Sequence, residues 1–262
     1  MGDDTRGSTQ PDLYVGYLPT PARHRKFLIV AVPALLLGMV AIAFVMTTGQ
    51  RDPGATTLLT NGPGSWTGTA FLEPYPSLVS DDGHTYLVVG SGKFGVADRL
   101  APFDGQRVVI DGVGQSRGGR RVILLGLEAE SARADTSERA PAPIPASTGT
   151  RSVTLRGEIL DAKCYTGAMK PGDGKGHKAC AILCVQGGIS ALFTSSGLDE
   201  AHTLPLLRVD GSTDIPPTVL ELIGEPVEIE GTLRTVGTLP VLDVQAASIR
   251  RWDGVMPSSG AP

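Results

Sequence analysis

The strongest pattern in the chain is one uninterrupted apolar run. From Phe27 to Met46, twenty residues (FLIVAVPALLLGMVAIAFVM) carry no charge. At about 1.5 Å per residue they match a hydrocarbon core of about 30 Å, so residues 27–46 are predicted to form a transmembrane helix. Pro33 falls in its first half, where a membrane helix tolerates a kink. Beyond it the pattern changes to short alternating segments separated by Gly and Pro, which predict strands and turns. Residues 60–130 and 151–252 are each expected to form a small β domain. Residues 131–150 (SARADTSERAPAPIPASTGT) lack periodicity and are expected to be an extended, mobile linker. The polar residues 1–20 and the tail 253–262 are expected to be disordered.

The two β segments resemble each other. Residues 105–118 (GQRVVIDGVGQSRG) align without a gap on 224–237 (GEPVEIEGTLRTVG), placing Gly105, Val108, Ile110, Gly112 and Gly118 on Gly224, Val227, Ile229, Gly231 and Gly237. Each copy predicts a strand, a Gly turn and a second strand. Each segment also opens on a Gly-bearing strand, TGTAFL from Thr67 and LRGEIL from Leu155. We read an internal repeat. The opening strand ending in Ile159-Leu160-Asp161 and the later G-x-x-V-x-I-x-G-x-L hairpin resemble OB-fold modules of bacterial envelope proteins. That resemblance covers most of both segments and implies two small OB-like antiparallel barrels; it implies no activity, because function lives in sites grafted on folds. The fold class expected is mainly β, with one N-terminal transmembrane helix and two such barrels.

Charge sets the orientation. Arg23, His24, Arg25 and Lys26 precede the apolar run and no such cluster follows it, which predicts a cytoplasmic tail at 1–26 and everything beyond about residue 47 outside the cytoplasm. The expected location is the plasma (inner) membrane of a bacterial-type cell, single pass, with the rest of the chain in the periplasm. A cleaved signal peptide is the rival reading, with Ala41-Ile42-Ala43 as its small-residue site, but the apolar run exceeds the usual signal core. The net charge of −4 gives no basic face for nucleic acid. With 34 Gly, 20 Pro and 5% aromatic residues, the elements are expected to be short.

Chemistry concentrates in one stretch. All 3 cysteines lie between Cys164 and Cys184, and with His177 they read C-x12-H-x2-C-x3-C. A helix from His177 to Gln186 would place His177, Cys180 and Cys184 within an arc of about 60°, with Cys164 arriving from the preceding strand. Gly187 and Gly188 supply the stop. Residues 166–176 form a Gly-rich loop. Between its opening-strand and hairpin glycines, the second segment is about thirty residues longer than the first, so residues 161–190 are expected to be a helical insert that the first barrel lacks.

Three readings of Cys164, His177, Cys180 and Cys184 stay open. The four can hold a metal ion or an iron–sulfur cluster, with zinc, iron and copper not distinguished and the Met169 thioether favouring copper if it joins. Alternatively, Cys164 pairs with Cys180 or Cys184 in a disulfide that staples the insert of a non-catalytic envelope interaction module, leaving one spare thiol. Or a cysteine acts as nucleophile with His177 as base, although no Asp or Asn orienter is evident. Lys163, Lys170 and Lys178, with Lys175 in the same crowd, read as cofactor-side residues that lower thiol pKa values, offset a negative thiolate cluster or meet an acidic partner protein; an exposed loop face is the alternative. Asp199–His202 (DEAH) lacks an accompanying phosphate loop, and His202 is a remote alternative ligand. Residues 90–95 (GSGKFG) lack phosphate-loop spacing and read as the turn after strand 84–89. The expectation is a membrane-anchored accessory or electron-transfer subunit, not an enzyme, whose partners are other membrane or periplasmic proteins.

Overall fold

Residues 22–49, 55–199 and 203–254 are described by the computed structural model. Helix α1 spans Ala22–Gly49 with Pro33 inside it. Among the described residues it is the one helix long and apolar enough to cross a membrane, with a mean hydropathy of 2.8 over its best window and none of that window buried. A signal sequence passes the same test. The hydroxyls of Thr47 and Thr48 donate back to the carbonyls of Ala43 and Phe44, which satisfies them within the helix. The expected cytoplasmic tail and the C-terminal tail fall mostly on 1–21 and 255–262, outside the described residues.

From Thr57 onward the chain is mainly β. Strands β1 (Thr57–Leu58), β2 (Gly64–Phe71), β3 (Ser77–Ser80), β4 (Thr85–Gly90), β5 (Arg107–Arg117), β6 (Arg120–Leu125) and β7 (Ala132–Ala134) form one sheet, with helix α2 (Ala97–Leu100) between β4 and β5. A second set follows: β8 (Ser147–Asp161), helix α3 (Lys178–Gln186), β9 (Ala191–Thr194), β10 (Leu206–Val209), helix α4 (Pro217–Leu220), β11 (Val227–Val236) and β12 (Leu239–Arg251). The first sheet closes through β2-β3-β4-β6-β5 and the second through β8-β9-β10-β12-β11.

The barrels are not antiparallel throughout, as the sequence pattern had led us to expect. β4 pairs in parallel with β6, and β10 with β12. The reason is arithmetic: successive strands alternate in direction, and an odd ring of alternating strands must contain one parallel pair. The hairpins fall at the matched glycines. Gly118 and Gly237 have φ of 57° and 60°, the left-handed backbone that tight hairpin turns demand.

Each ring has its own core. Trp66, Leu78, Val88, Leu100, Ile110 and Ile123 fill the first; Ile159, Phe193, Leu207, Ile229, Leu233 and Leu242 fill the second. A third buried cluster joins the two rings: Tyr75, Leu87, Val89 and Val122 of the first pack with Leu160, Leu192, Leu206 and Val241 of the second. Tyr75 also donates its hydroxyl to the carbonyl of Leu207, at 2.7 Å. The intervening stretch is partly ordered where mobility was expected. β7 pairs with β5, the Ala142 amide donates to Thr69, and β8 already begins at Ser147. The two rings therefore form one compact unit from Pro53 onward.

Phe193 is fully buried. Phe193→Ala is expected to cost about 3–5 kcal/mol, as for other buried Phe truncations. Urea melts of the region beyond residue 55 check this, and a loss under about 1 kcal/mol would contradict the packing described.

An ion cluster on the first ring gives a pH prediction. Arg107, 9% exposed, donates to Asp81 at 2.7 and 2.9 Å and to Asp135 at 2.7 Å. The Arg107 hydrogen bond holds the Asp81 carboxyl below its ordinary value. Asp135 is lowered too, first by Ser137 and then by Arg107. A depressed folded value stabilises the fold above the unfolded carboxylate pKa of about 4 and loses that effect as pH falls through the folded value. Arg107→Met is therefore expected to be less stable than the parent at pH 7 and to converge on it as the pH falls through the folded carboxyl values. A gap independent of pH would contradict this.

Candidate metal centre

Strand β8 is apolar at its end, so it runs into the core and delivers its last residue, Asp161, with no exposed surface. The chain then leaves the sheet in a short π-type turn, Cys164–Ala168. Asp161 Oδ1 accepts the Cys164 amide at 2.9 Å. This side-chain bond fixes the start of the turn and directs Cys164 into the seam between the rings. After the loop, α3 runs Lys178–Gln186 with His177 at its N-cap. Ala181, Cys184 and Val185 face inward while Leu183 is exposed.

The result is a convergence of three sulfurs. Cys164 Sγ lies 3.9 Å from Cys180 Sγ and 3.9 Å from Cys184 Sγ, and all three lie within 4.8 Å of one another. A point equidistant from three such sulfurs is about 2.2–2.5 Å from each, close to a metal–thiolate bond. Cys164 and Cys184 are buried and Cys180 is half-buried; all three are free thiols. The trio can hold a metal ion.

His177 groups with Cys164 apart from the sulfur trio. Its Nε2 lies 2.9 Å from Asp161 Oδ2, and because a carboxylate only accepts, Nε2 donates. Asp161, Cys164 and His177 form a second close triple. With Asp161 added, the predicted four residues fall into two triples that share Cys164. The sequence reading found no acidic orienter, and here the structure corrects it. Asp161, three residues before Cys164, holds both the cysteine backbone and the histidine ring.

Protonation follows from the contacts. The hydrogen bond with Cys164 stabilises a Cys184 thiolate, and Lys163 and Lys93 add to it against burial and Asp161. The Cys184 pKa is pulled down to about 7. The same bond, with burial and Asp161, pushes the Cys164 thiol up. The two sulfurs thus share one proton across 3.9 Å, with either able to be its donor. A cation entering the trio displaces that proton.

The first ring completes the site. Lys93 Nζ lies 2.6 Å from Cys180 Sγ, 3.6 Å from Cys184 Sγ and 3.2 Å from the Cys180 carbonyl. The Cys180 contact holds the Lys93 ammonium above its usual range. Its loop is seated by backbone: the Gly95 amide donates to the Gly187 carbonyl at 2.6 Å. A Cβ on Gly187 would stand 1.8 Å from the Lys93 carbonyl, so only glycine permits this approach. Gln115 on β5 donates to the Lys163 carbonyl and to Thr166. Arg117 donates to the carbonyls of Tyr165 and Pro171 and stacks 4.2 Å over the Tyr165 ring. Lys93 sits in the GSGKFG stretch that read as a plain turn. Its signal, a lysine among glycines, had no visible partner because Cys180 lies 87 residues away.

The predicted lysines divide. Lys163 is buried and its Nζ donates to the Gly92 carbonyl. Lys170 donates to Thr56 at 2.7 Å. Lys178 bonds Glu225 at 2.8 Å and the Glu221 carbonyl at 2.7 Å, turned toward α4. Met169 is 45% exposed. His202 lies outside the described residues. Two surface hollows, one lined by Arg156 and Trp252 and the other by Gly231 and Gln245, contain no cysteine. No family model matches the chain, and no curated protein and no solved structure matches it.

Proposed function

We propose that this chain is a membrane-anchored, extracytoplasmic protein of a bacterial-type envelope that binds a soft metal ion or metal cluster through Cys164, Cys180 and Cys184. The observation that carries the reading is the convergence of all three sulfurs at metal-binding separations. Soft thiolates suit zinc, cuprous copper and iron–sulfur chemistry. His177 belongs to the same reading as a reserve ligand beside Cys164, held by Asp161 in the manner of an outer-shell carboxylate. Lys163 offsets thiolate charge; Lys170 and Lys178 brace the enclosing loop and helix.

The rest of the reading concerns setting. An apolar α1 behind a basic cluster supports a single-pass anchor in the inner membrane with the rings on the periplasmic side. The shared strand order of the two rings, and positive φ at the matched glycines Gly105 and Gly224 as well as at Gly118 and Gly237, support two OB-like copies of one repeat. Only five residues separate β2 from β3, whereas residues 162–190 separate β8 from β9, which supports an insert in the second copy. The soft donor set of the trio, on a chain with an apolar anchor helix, favours an accessory or electron-transfer subunit docked on other membrane or periplasmic proteins.

A second reading is favoured by one distance: Cys164 lies equally far from Cys180 and Cys184, so either can become its disulfide partner in an interaction module. Anaerobic purification of the full chain in detergent, followed by elemental analysis and thiol counting, separates the two. About one equivalent of metal, or more for a cluster, with no disulfide is expected. No metal with two cysteines oxidised would replace the first reading with the second.

A further inference from the structure

The Lys93–Cys180 contact is too close for an ordinary hydrogen bond to sulfur. N–H···O bonds span about 2.7–3.2 Å, and sulfur is larger than oxygen, yet Lys93 Nζ stands 2.6 Å from Cys180 Sγ. A direct N–S bond would be far shorter. A single oxygen bonded to both atoms, at ordinary single-bond lengths and a near-tetrahedral angle, spans this separation. We propose that Lys93 and Cys180 form a covalent N–O–S bridge when the protein meets dioxygen.

The placement is built into the fold. The lysine is aimed by the Gly95–Gly187 backbone bond and by the glycine-only approach at Gly187. A second donor bond to the Cys180 carbonyl, at 3.2 Å, fixes the amine over this one residue. Both side chains are only partly buried, so dioxygen reaches them, whereas Cys164 and Cys184 are shielded. Chemically, the Lys93 ammonium first releases one proton to solvent; the resulting amine then gives up one hydrogen and the Cys180 thiol gives up its hydrogen. One oxygen atom of dioxygen enters between nitrogen and sulfur, and the other leaves as water with those two hydrogens. Nitrogen and sulfur together supply the four electrons that reduce dioxygen. Reversal takes four thiol equivalents, which yield two disulfides, one water, the free amine and the free thiol.

The bridge ties the first ring to α3 and withdraws Cys180 from the trio. Its existence stands apart from the metal reading; its consequence, an oxygen-dependent loss of the metal site, rests on that reading.

The test compares the full chain in detergent, handled in air and handled anaerobically with reductant. Intact mass in air is expected to rise by about 14 Da, one oxygen gained and two hydrogens lost. Digestion is expected to give one linked peptide pair carrying Lys93 and Cys180, with trypsin no longer cleaving after Lys93, and excess dithiothreitol is expected to restore both peptides. Lys93→Arg is expected to abolish the mass gain and leave Cys180 open to alkylation, while Cys184→Ser keeps the bridge. An alkylatable Cys180 after aerobic incubation, or a Cys180 disulfide with a mass loss of about 2 Da, would overturn the proposal. Metal content of the anaerobic sample keeps the two ideas apart. Metal in the anaerobic sample with no bridge in the aerobic one refutes the bridge alone, and a bridge in air with no metal in the anaerobic sample refutes the metal reading alone.

Discussion

Cys164→Ser is expected to abolish stoichiometric binding of a soft metal, weakening affinity by more than about 100-fold. Loss of an outer partner alone typically costs 10–100-fold, and Cys164 is a direct vertex common to both close triples. Serine keeps the shape of the turn and the Asp161 bond to the residue-164 amide, so the fold is expected to survive. The companion variants sharpen the result. If the trio holds a metal, Cys180→Ser and Cys184→Ser each lower occupancy in the same way. If the trio is a staple, replacing one of those two leaves the other free to pair with Cys164, and stability barely changes. Competition with a chromophoric metal chelator reads the first outcome; urea melts with and without reductant read the second.

The second large effect is expected at Asp161. It has no exposed surface and accepts from the Cys164 amide and from His177 Nε2, both at 2.9 Å. Asp161→Ala leaves two buried donors without partners, at about 1–3 kcal/mol each, so a loss of about 2–6 kcal/mol is expected. The start of the Cys164 turn loosens with it, and cysteine alkylation is expected to speed up. Asp161→Asn keeps an accepting oxygen and is expected to lose less. A variant as stable as the parent, with unchanged thiol reactivity, would show that Asp161 neither orients His177 nor anchors Cys164.

The sequence exposed what is local and hid what is distant. The apolar run became α1 because twenty uncharged residues have one favourable backbone. The hairpins were legible because Gly118 and Gly237 mark left-handed turns between alternating strands. A helix over 178–186 was legible from its spacing and its Gly187-Gly188 stop, and the three cysteines were legible by concentration alone. The parallel pairs were not, since they arise from closing an odd ring and have no residue signature. The shared core was hidden too: Leu87 and Val122 look like ordinary strand residues until Leu206 and Val241 arrive opposite them. Lys93 and Asp161 were missed for different reasons. Asp161 stands in plain view before Cys164 but reads as a strand end, and its bond to His177 needs the loop to fold back. Lys93 needs the first ring to dock against α3, an arrangement set by Gly95, Gly187 and the seam rather than by any motif.

The most direct test of the central claim is the metal content and sulfur coordination of the reduced, anaerobically purified full chain. Elemental analysis combined with X-ray absorption at the edge of the bound metal is expected to find about one equivalent, or more for a cluster, with sulfur neighbours at about 2.3 Å. A chain free of stoichiometric metal, or one whose metal has no sulfur neighbours, would contradict the account.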